Sequence, residues 1–571
     1  MSPWITITSK LKEILSRMLG IKVIEQQLKI SPIISSKMEE AIDLWTRLYM
    51  NNAPWLHEPT DQDPTRIASL GLPGMIANEK ARTALLEFES EITTPTETVE
   101  IKNPDYPGEP QTTIGPDGEE IPLPSTVPPE TITEDRVIGD TARAEYLESQ
   151  YKKLKKQLRR QLEYGIAKGG LVIKPYVVIN QSVDEQEKEN TSSTIKIEFD
   201  YTQADAFFPL AFDAAGRITE AAFLQRKMQG ESIYYRLEYH KWKNNTATII
   251  NKAFKASNDK IVPNSVIFDL GEEVPLSKIS EWKDLQPKTT INNVEKPLFA
   301  YFKMPEANTI DMTSPLGVSG FSKATSLIKD ADMQYSRLLW EYEGGELAID
   351  IDRDALKTVT DASGNDHTQL TKLQERLYRK IDLGTEETYQ PFAPSLRDAN
   401  YMAGLNTILM RIEDVCSISR GTLSDATQEA KTATELKILK QRSYQANADI
   451  QQALEDTLKD VVYIMDVYCT LYEITPQGEY DVSFEWDDSL IVDTQEELNT
   501  RLSLMQQGLV SKVENRMWYF GETERQAEEA LRKIDEENTQ SMENELVMEQ
   551  NLSDGNVKTN NTPKPDKGDT K

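Results

Sequence analysis

Residues 432–472 constrain the fold more than any other stretch of this chain. Apolar side chains recur at Leu436, Leu439, Ala446, Ile450, Ala453, Leu454, Leu458, Val461, Met465, Tyr468 and Leu471, mostly three or four apart. That is the spacing of one buried helical stripe. Thr432 and Glu435 fit a capping box, and no proline interrupts the pattern before Pro476. At ~1.5 Å per residue the helix is on the order of 60 Å long. A rod of that length needs neighbours along it, so the pattern predicts a large body built around one helix.

Composition supports such a body. A chain of 571 residues can bury a large core and normally divides into domains, and 38% hydrophobic with 28% charged residues is ordinary for a fold in water. The formal charge of −30 argues against sequence-independent clamping of nucleic acid, which needs Lys and Arg in excess to displace counterions from phosphate. Any DNA contact must be local or loose. Cys416 and Cys469 form no CxxC pair, which suits a reducing cytosol and excludes cysteine metal clusters. No run approaches the ~18 apolar residues of a membrane span. Residues 4–24 follow a helical pattern but carry Lys10, Lys12, Glu13, Arg17 and Lys22. They read as a peripheral helix docked on its own domain, not as a secretory signal, and no membrane partner is expected.

Taken in order, the chain opens with helical patterns at 36–51 (Met38, Ile42, Trp45, Leu48) and 78–91 (Ala81, Leu85, Phe88). Residues 92–135 hold nine prolines and many acids and read as an exposed acidic arm. A helix over 138–167 places Leu147, Tyr151, Leu154, Leu158 and Leu162 on one side. Lys152, Lys153, Lys155, Lys156, Arg159 and Arg160 surround the rest, reading as a solvated flank with intrahelical ion pairs and an outward-facing position. From 169 to 304 the period switches to strands, at 171–179, 195–201, 233–242, 246–250 and 297–303.

A helix over 319–343, with Phe321, Ala324, Leu327, Ile328, Ala331, Tyr335, Leu338 and Leu339 on a stripe, stops at Gly344-Gly345. Strand-like 346–351 and 377–383 enclose a polar segment, and a second helix returns over 397–417. Helix, β excursion and returning helix make a hairpin that projects a module. Residues 417–431 form a flexible link into the long helix, 480–486 a strand, and 494–506, 511–519 and 522–537 short helices. The polar composition beyond about residue 540 predicts disorder. The fold class is α+β, mainly helical.

Catalytic motifs are wanting. His57, His240 and His367 lie far apart without ligand spacing, so each reads as a satisfied or solvent-facing imidazole. Gly317-Val-Ser-Gly-Phe-Ser-Lys323 places glycines before a lysine, but Ser322 and Ala324 stand where a Walker loop needs Gly and Ser or Thr. It reads as a tight start to a helix. Asp350, Asp352 and Asp354 alternate as in a calcium loop, yet Ala355 takes the place of the required glycine. No enzyme, metal site or cofactor is expected.

Residues 313–472 carry a recognisable order of short words. Thr313-Ser-Pro-Leu-Gly-Val-Ser-Gly-Phe321 opens a helix, and a Gly-Gly break precedes Glu346-Leu-Ala-Ile349. The return helix ends in Ile418-Ser-Arg-Gly-Thr-Leu423, and Lys431-Thr-Ala-Thr-Glu-Leu436 opens the long helix. Together, in this order, they resemble tailed-bacteriophage portal proteins, nearest the group from phages of Gram-positive hosts. The likeness in element order covers residues 30–540, with the specific words in 313–445.

The resemblance implies a homo-oligomeric ring of about twelve subunits at one capsid vertex, assembled in the host cytoplasm around a DNA channel. By the same resemblance, residues 1–318 are the wing, 319–345 and 396–417 the stem helices, and 346–395 the clip. Residues 418–431 are the tunnel loop, 432–475 the long wing helix, 476–540 the crown and 541–571 a tail. Arg420, Gly421, Thr422 and Lys431 are then the candidate channel residues. Glu346, Asp350, Asp352, Asp361 and His367 are the candidate docking residues, for a terminase packaging motor and a head-completion adaptor. Major capsid and scaffold proteins and double-stranded DNA complete the implied partners. An acidic chain with isolated Arg420 and Lys431 in the loop suits DNA that slides rather than DNA that is held. The competing readings are a non-portal structural or scaffold component, and a nucleotide-driven packaging enzyme against which the missing phosphate loop speaks.

Overall fold

The computed structural model describes residues 24–25, 27–58, 65–86, 88–102, 112–114, 120–122, 131–137, 139–182, 192–256, 271–352, 358–360, 366–368, 378–381, 389–425, 433–486, 494–523, 526–528 and 530–534. Two compact units divide at Trp486 and Asp487.

In the first unit, α1 (Ser36–Tyr49) is capped by Ser35, whose hydroxyl accepts the Met38 N–H at 3.3 Å. Met38, Ile42, Trp45 and Leu48 are all buried, as their spacing predicts. The next helix, α2 (Leu72–Ala84), starts earlier than the periodicity suggests, because left-handed Gly71 and Pro73 set its first turn. Five strands follow: β1 (Glu89–Thr93), β2 (Thr96–Lys102), β3 (Thr112–Ile114), β4 (Glu120–Pro122) and β5 (Thr131–Val137). The expected acidic arm is therefore not a plain loop. β2 pairs antiparallel with β5 from Thr96↔Val137 to Lys102↔Thr131, and β3 pairs with β4. Prolines concealed the strands in the sequence, yet Pro95 falls between β1 and β2 and Pro122 closes β4.

Then come α3 (Ala142–Lys168), β6 (Gly170–Ser182), β7 (Ser192–Gln203), β8 (Phe207–Phe212), β9 (Ile218–Gln229), β10 (Ser232–Lys243), β11 (Thr246–Lys255), β12 (Glu272–Val274), β13 (Lys288–Asn292) and β14 (Ala300–Lys303). β14-β6-β7 is one antiparallel sheet, and β12-β11-β10-β9-β8 with β13 on β11 is another. Both faces of the larger sheet are buried: Phe207 and Phe223 join the main core, while Phe208, Ala222 and Leu224 join a second one with Ile24. Ile24 and its partly buried neighbour Leu28 are the described end of the expected N-terminal helix, and they dock on this sheet. Residues 1–23 lie outside the described set.

The Gly-Val-Ser-Gly stretch serves packing. The Gly320 N–H donates to Ile166 O at the end of α3, and the Met304 N–H donates to Gly169 O. A Cβ on Gly169 would stand 2.7 Å from Gly317 O, so the two backbones cross where only hydrogen fits. Beyond that crossing runs α4 (Thr325–Gly344), followed by β15 (Ala348–Asp352), β16 (Thr358–Thr360), β17 (Asp366–Thr368), β18 (Tyr378–Ile381) and β19 (Tyr389–Phe392). α5 (Asp398–Cys416) returns antiparallel on α4, burying Ile328, Ala331, Leu405 and Ile412. The predicted helix–β–helix hairpin is present.

The long helix is α6 (Ala433–Leu471), and the N-cap residue proposed for it, Thr432, lies outside the described set. Ile450, Leu454, Leu458, Val461, Met465 and Tyr468 are buried as predicted; Leu471 is exposed. Partners line its length. The Thr83 hydroxyl reaches Asn447 at 3.2 Å, Gln451 donates to Ala84 O, Lys296 pairs with Asp460 at 2.6 Å, and the Glu295 N–H donates to the Tyr463 hydroxyl. Its C-terminal end is held by Arg143 of α3, which is almost fully buried. That guanidinium donates to Asp466 Oδ1 at 2.6 Å, to Asp466 O, to the Thr470 hydroxyl, and to the carbonyls of Thr475 and Pro476. β20 (Asp481–Glu485) then pairs with β1, and Trp486 stacks on Phe88 with ring centroids 4.4 Å apart.

The second unit contains α7 (Thr494–Gln506) and α8 (Lys512–Phe520). Ser511 and Glu514 form a reciprocal capping box at the start of α8. The Arg501 guanidinium lies over Trp518, 4.3 Å from the ring centroid. Residues 535–571, including the tail expected to be disordered, lie outside the described set.

Candidate functional site

The two candidate regions sit at opposite ends of α5, separated by the helix length, about 28 Å at 1.5 Å per residue. At its C-terminal end, Ser417 takes a left-handed conformation that turns the chain back on the helix. Glu413, on the last turn, is fully buried. One of its carboxylate oxygens accepts the N–H groups of Leu423 and Ser424 at 2.6 and 2.8 Å, and the other accepts the Ser424 hydroxyl at 2.7 Å. Asn406 Oδ1 accepts the Asp425 N–H at 2.7 Å. Gly421 has φ +86°, a conformation glycine reaches without strain, and the Thr422 hydroxyl donates to Ser419 O. Residues 418–425 are therefore a structured turn pinned to α5, not the flexible link expected.

Arg420 is not isolated, which corrects the sequence reading. Its guanidinium grips both oxygens of Asp414, at 3.1 and 2.9 Å. The Arg420 hydrogen bonds hold the Asp414 carboxyl below the usual range, with Arg442 and Arg411 adding to the effect against partial burial. A helix C-terminus favours this arrangement, because its carbonyl ends draw cations. Lys431, the other predicted cation of the loop, lies outside the described residues, so the structure does not bring the two together. Thr422 and Leu423 also form one wall of a cleft of about 550 Å³ shared with Tyr49, Met75, Asn78 and Glu163. There the Tyr49 hydroxyl donates to Glu163 at 2.7 Å.

At the other end of the hairpin, Glu341 of α4 closes the neck by accepting two guanidinium bonds and the backbone N–H of Arg397. Gly345 lies against Leu396 so closely that a Cβ would overlap it. Beyond the neck, β15 is the centre of a three-stranded mixed sheet, parallel to β18 and antiparallel to β19. Both sides of β15 are occupied within the chain, so the strand-like segment 346–351 is the centre of this sheet and offers no free edge. β18 and β19 are the outer strands. Glu346 is exposed just before β15, Asp350 and Asp352 lie on it, and His367 lies on β17, which pairs with β16 through Val359↔His367. Asp361 falls outside the described residues.

Elsewhere the titratable groups serve the core. His240 Nε2 donates to a carboxylate oxygen of the largely buried Glu238 at 2.7 Å, and burial pushes the imidazole pKa down. Burial alone would raise Glu238, but Lys174, Arg236 and His240 together hold it well below the normal range. His57 bonds the Thr65 hydroxyl at 3.0 Å. On α3, Lys152 and Lys155 share Glu148 and Lys153 pairs with Glu198, so three of the six basic side chains have an acidic neighbour. Burial raises the thiol pKa values of Cys416 to about 12 and of Cys469 to about 11. Among the described residues no His, Cys, Asp or Glu cluster has the arrangement of a metal site, and no helix is long and apolar enough to cross a membrane. Sequence reasoning missed Glu413, Asp414, Arg143 and Glu341, because acids and bases on amphipathic helices look alike until their partners are known.

The two helices of the hairpin, the strands between them and the turn after α5 precede the long helix in the chain. The family model described as phage portal protein, SPP1 Gp6-like, matches residues 148–544. No curated protein sequence matches the chain. The matched span covers the two antiparallel sheets, the hairpin, the turn and the long helix. The chain belongs to the SPP1 Gp6-like family of phage portal proteins.

Proposed function

We propose that copies of this chain close into a ring at one vertex of a phage capsid, and that double-stranded DNA is packaged, retained and ejected through its axis. The family match over 148–544 carries the reading. In this assignment residues 1–318 are the wing, α4 and α5 the stem, 346–395 the clip, 418–431 the tunnel loop, α6 the long wing helix and 476–540 the crown. The clip receives the terminase motor and later the head-completion adaptor.

Two observations support this reading. The hairpin leaves Trp340 66% exposed and Met402 50% exposed, with Leu347 and Leu396 uncovered at the neck. In a ring, a neighbouring copy would cover these apolar side chains. The net charge of −30 disfavours tight, sequence-independent capture of phosphate by the chain, which suits a duplex that slides instead of sticking. Light scattering and negative-stain imaging of the purified chain test the assembly. Closed rings with a central hole are expected, and a chain that stays monomeric at micromolar concentration refutes the assignment.

A further inference from the structure

Three arginines from three different elements converge on Asp414. Arg411 of α5 lies 3.9 Å from its carboxylate, Arg420 of the turn 2.9 Å, and Arg442 of α6 3.8 Å. The Arg411 and Arg442 side chains are 71% and 65% exposed, so their remaining donors face solvent. Glu413, next in sequence, is buried and directed at the loop backbone. Around Asp414 itself, three guanidinium groups meet one carboxylate, a cluster of cations on a strongly acidic chain.

Guanidinium is the side-chain group whose fork of donors matches the oxygens of a phosphodiester, and it stays charged at every working pH. Asp414 already occupies the place where an anion binds, and so marks the site as one that takes oxyanions. Its effect is twofold. It fixes the direction of the Arg420 fork, and it offsets part of the field that a passing phosphate feels. A bare arginine triad would hold each phosphate; a triad tethered to an internal carboxylate contacts it weakly and lets it go.

We propose that Arg411, Arg420 and Arg442 form a contact site for the backbone phosphates of duplex DNA, and that Asp414 sets the strength of that contact. The inference rests on the portal reading and adds to it a defined phosphate site and an element that limits its grip. It predicts opposite effects from two variants. Asp414→Asn removes the competing anion and tightens DNA binding, whereas Arg411→Gln with Arg442→Gln loosens it.

The test uses assembled full-length rings and a fluorescent duplex of about 30 base pairs, with affinity measured between about 50 and 200 mM salt. Each lost phosphate contact makes the fall in affinity across that range about 3-fold smaller. The arginine double variant should therefore show a shallower salt dependence than the parent, and Asp414→Asn a steeper one with higher affinity at low salt. Hydrogen exchange at Leu423 and Ser424 reports whether the turn keeps its fold in each variant. Equal salt dependence in all three proteins overturns the proposal, as does a loss of affinity in both variants, which a merely structural role would give. If the variants change only the salt concentration at which rings dissociate, the arginines seat an acidic face of the neighbouring copy and the phosphate assignment is wrong. Failure of the parent chain to form rings refutes the portal reading itself, and is recognised before any DNA is added.

Discussion

Replacing Arg143 with alanine tests how the long helix is anchored. The guanidinium is buried between α3 and the end of α6, and it serves five acceptors: Asp466 Oδ1, Asp466 O, the Thr470 hydroxyl, and the carbonyls of Thr475 and Pro476. Removing one partner of a buried charge pair typically costs about 3–5 kcal/mol, because the other charge stays behind. Asp466 keeps 30% of its side-chain surface in water, so the lower end, about 3 kcal/mol, applies here. If the loss is local, amides at the end of α6 such as Tyr472 and Ile474 exchange about 100-fold faster, while those near Ile450 do not change. Arg143→Lys restores the charge but not the fork, and recovers only part of the protection.

The effect also depends on pH. Burial raises the Asp466 carboxyl above its ordinary value, and Arg143 opposes that rise. Without the arginine the folded-state pKa climbs further, so the folded variant takes up a proton before the unfolded chain does. Folding of the variant therefore gains stability as pH falls through that raised value toward the ordinary carboxylate range, and the deficit is largest at neutral pH. Unchanged exchange at the end of α6 in Arg143→Ala, or a deficit that grows on mild acidification, would refute this reasoning.

Gly317→Ala forces a methyl group into the Gly169 carbonyl, and should lower the thermal midpoint by an amount equivalent to about 1–3 kcal/mol, whereas Gly216→Ala, whose Cβ position is open, should cost only its backbone strain. Glu413→Ala leaves the Leu423 and Ser424 N–H groups without their acceptor; their exchange should accelerate at least 10-fold, as read by hydrogen exchange. Replacing 361–367 by a short Gly-Ser link should preserve rings and impair attachment of motor or adaptor, as read by tail joining in a packaging extract. Loss of rings, or normal joining, would count against the docking role.

What the sequence disclosed depended on how many faces an element buries. α6, α3 and the hairpin helices each bury one stripe, and a 3.6-residue period shows through. β8 and β9 were missed because both their faces are buried, so Phe207-Phe208 and Ala221-Ala222-Phe223-Leu224 read as continuous apolar runs without alternation. The arm strands were missed because nine prolines, counted over 92–135, outweighed the alternation of Val99 and Ile101 in β2. Among the candidate site residues, the position of Arg420 in a turn between helices was legible from Gly421 and the broken periodicity. Its pairing with Asp414 was not, because i to i+6 across a helix end depends on the left-handed Ser417 that nothing in a serine announces. The central place of 346–351 in its sheet was not legible for a topological reason: strand order within a sheet is set by connections that residue patterns do not encode.

The central claim is that the turn after α5 lines a channel that DNA traverses. Both native cysteines are buried with raised thiol pKa values, so Thr422→Cys places a single accessible thiol on that turn. Labelled with a short photo-cross-linker in particles carrying packaged DNA, Thr422→Cys should capture the genome, while Lys156→Cys on the exposed flank of α3 should not. Capture at position 156 without capture at 422 would contradict the account.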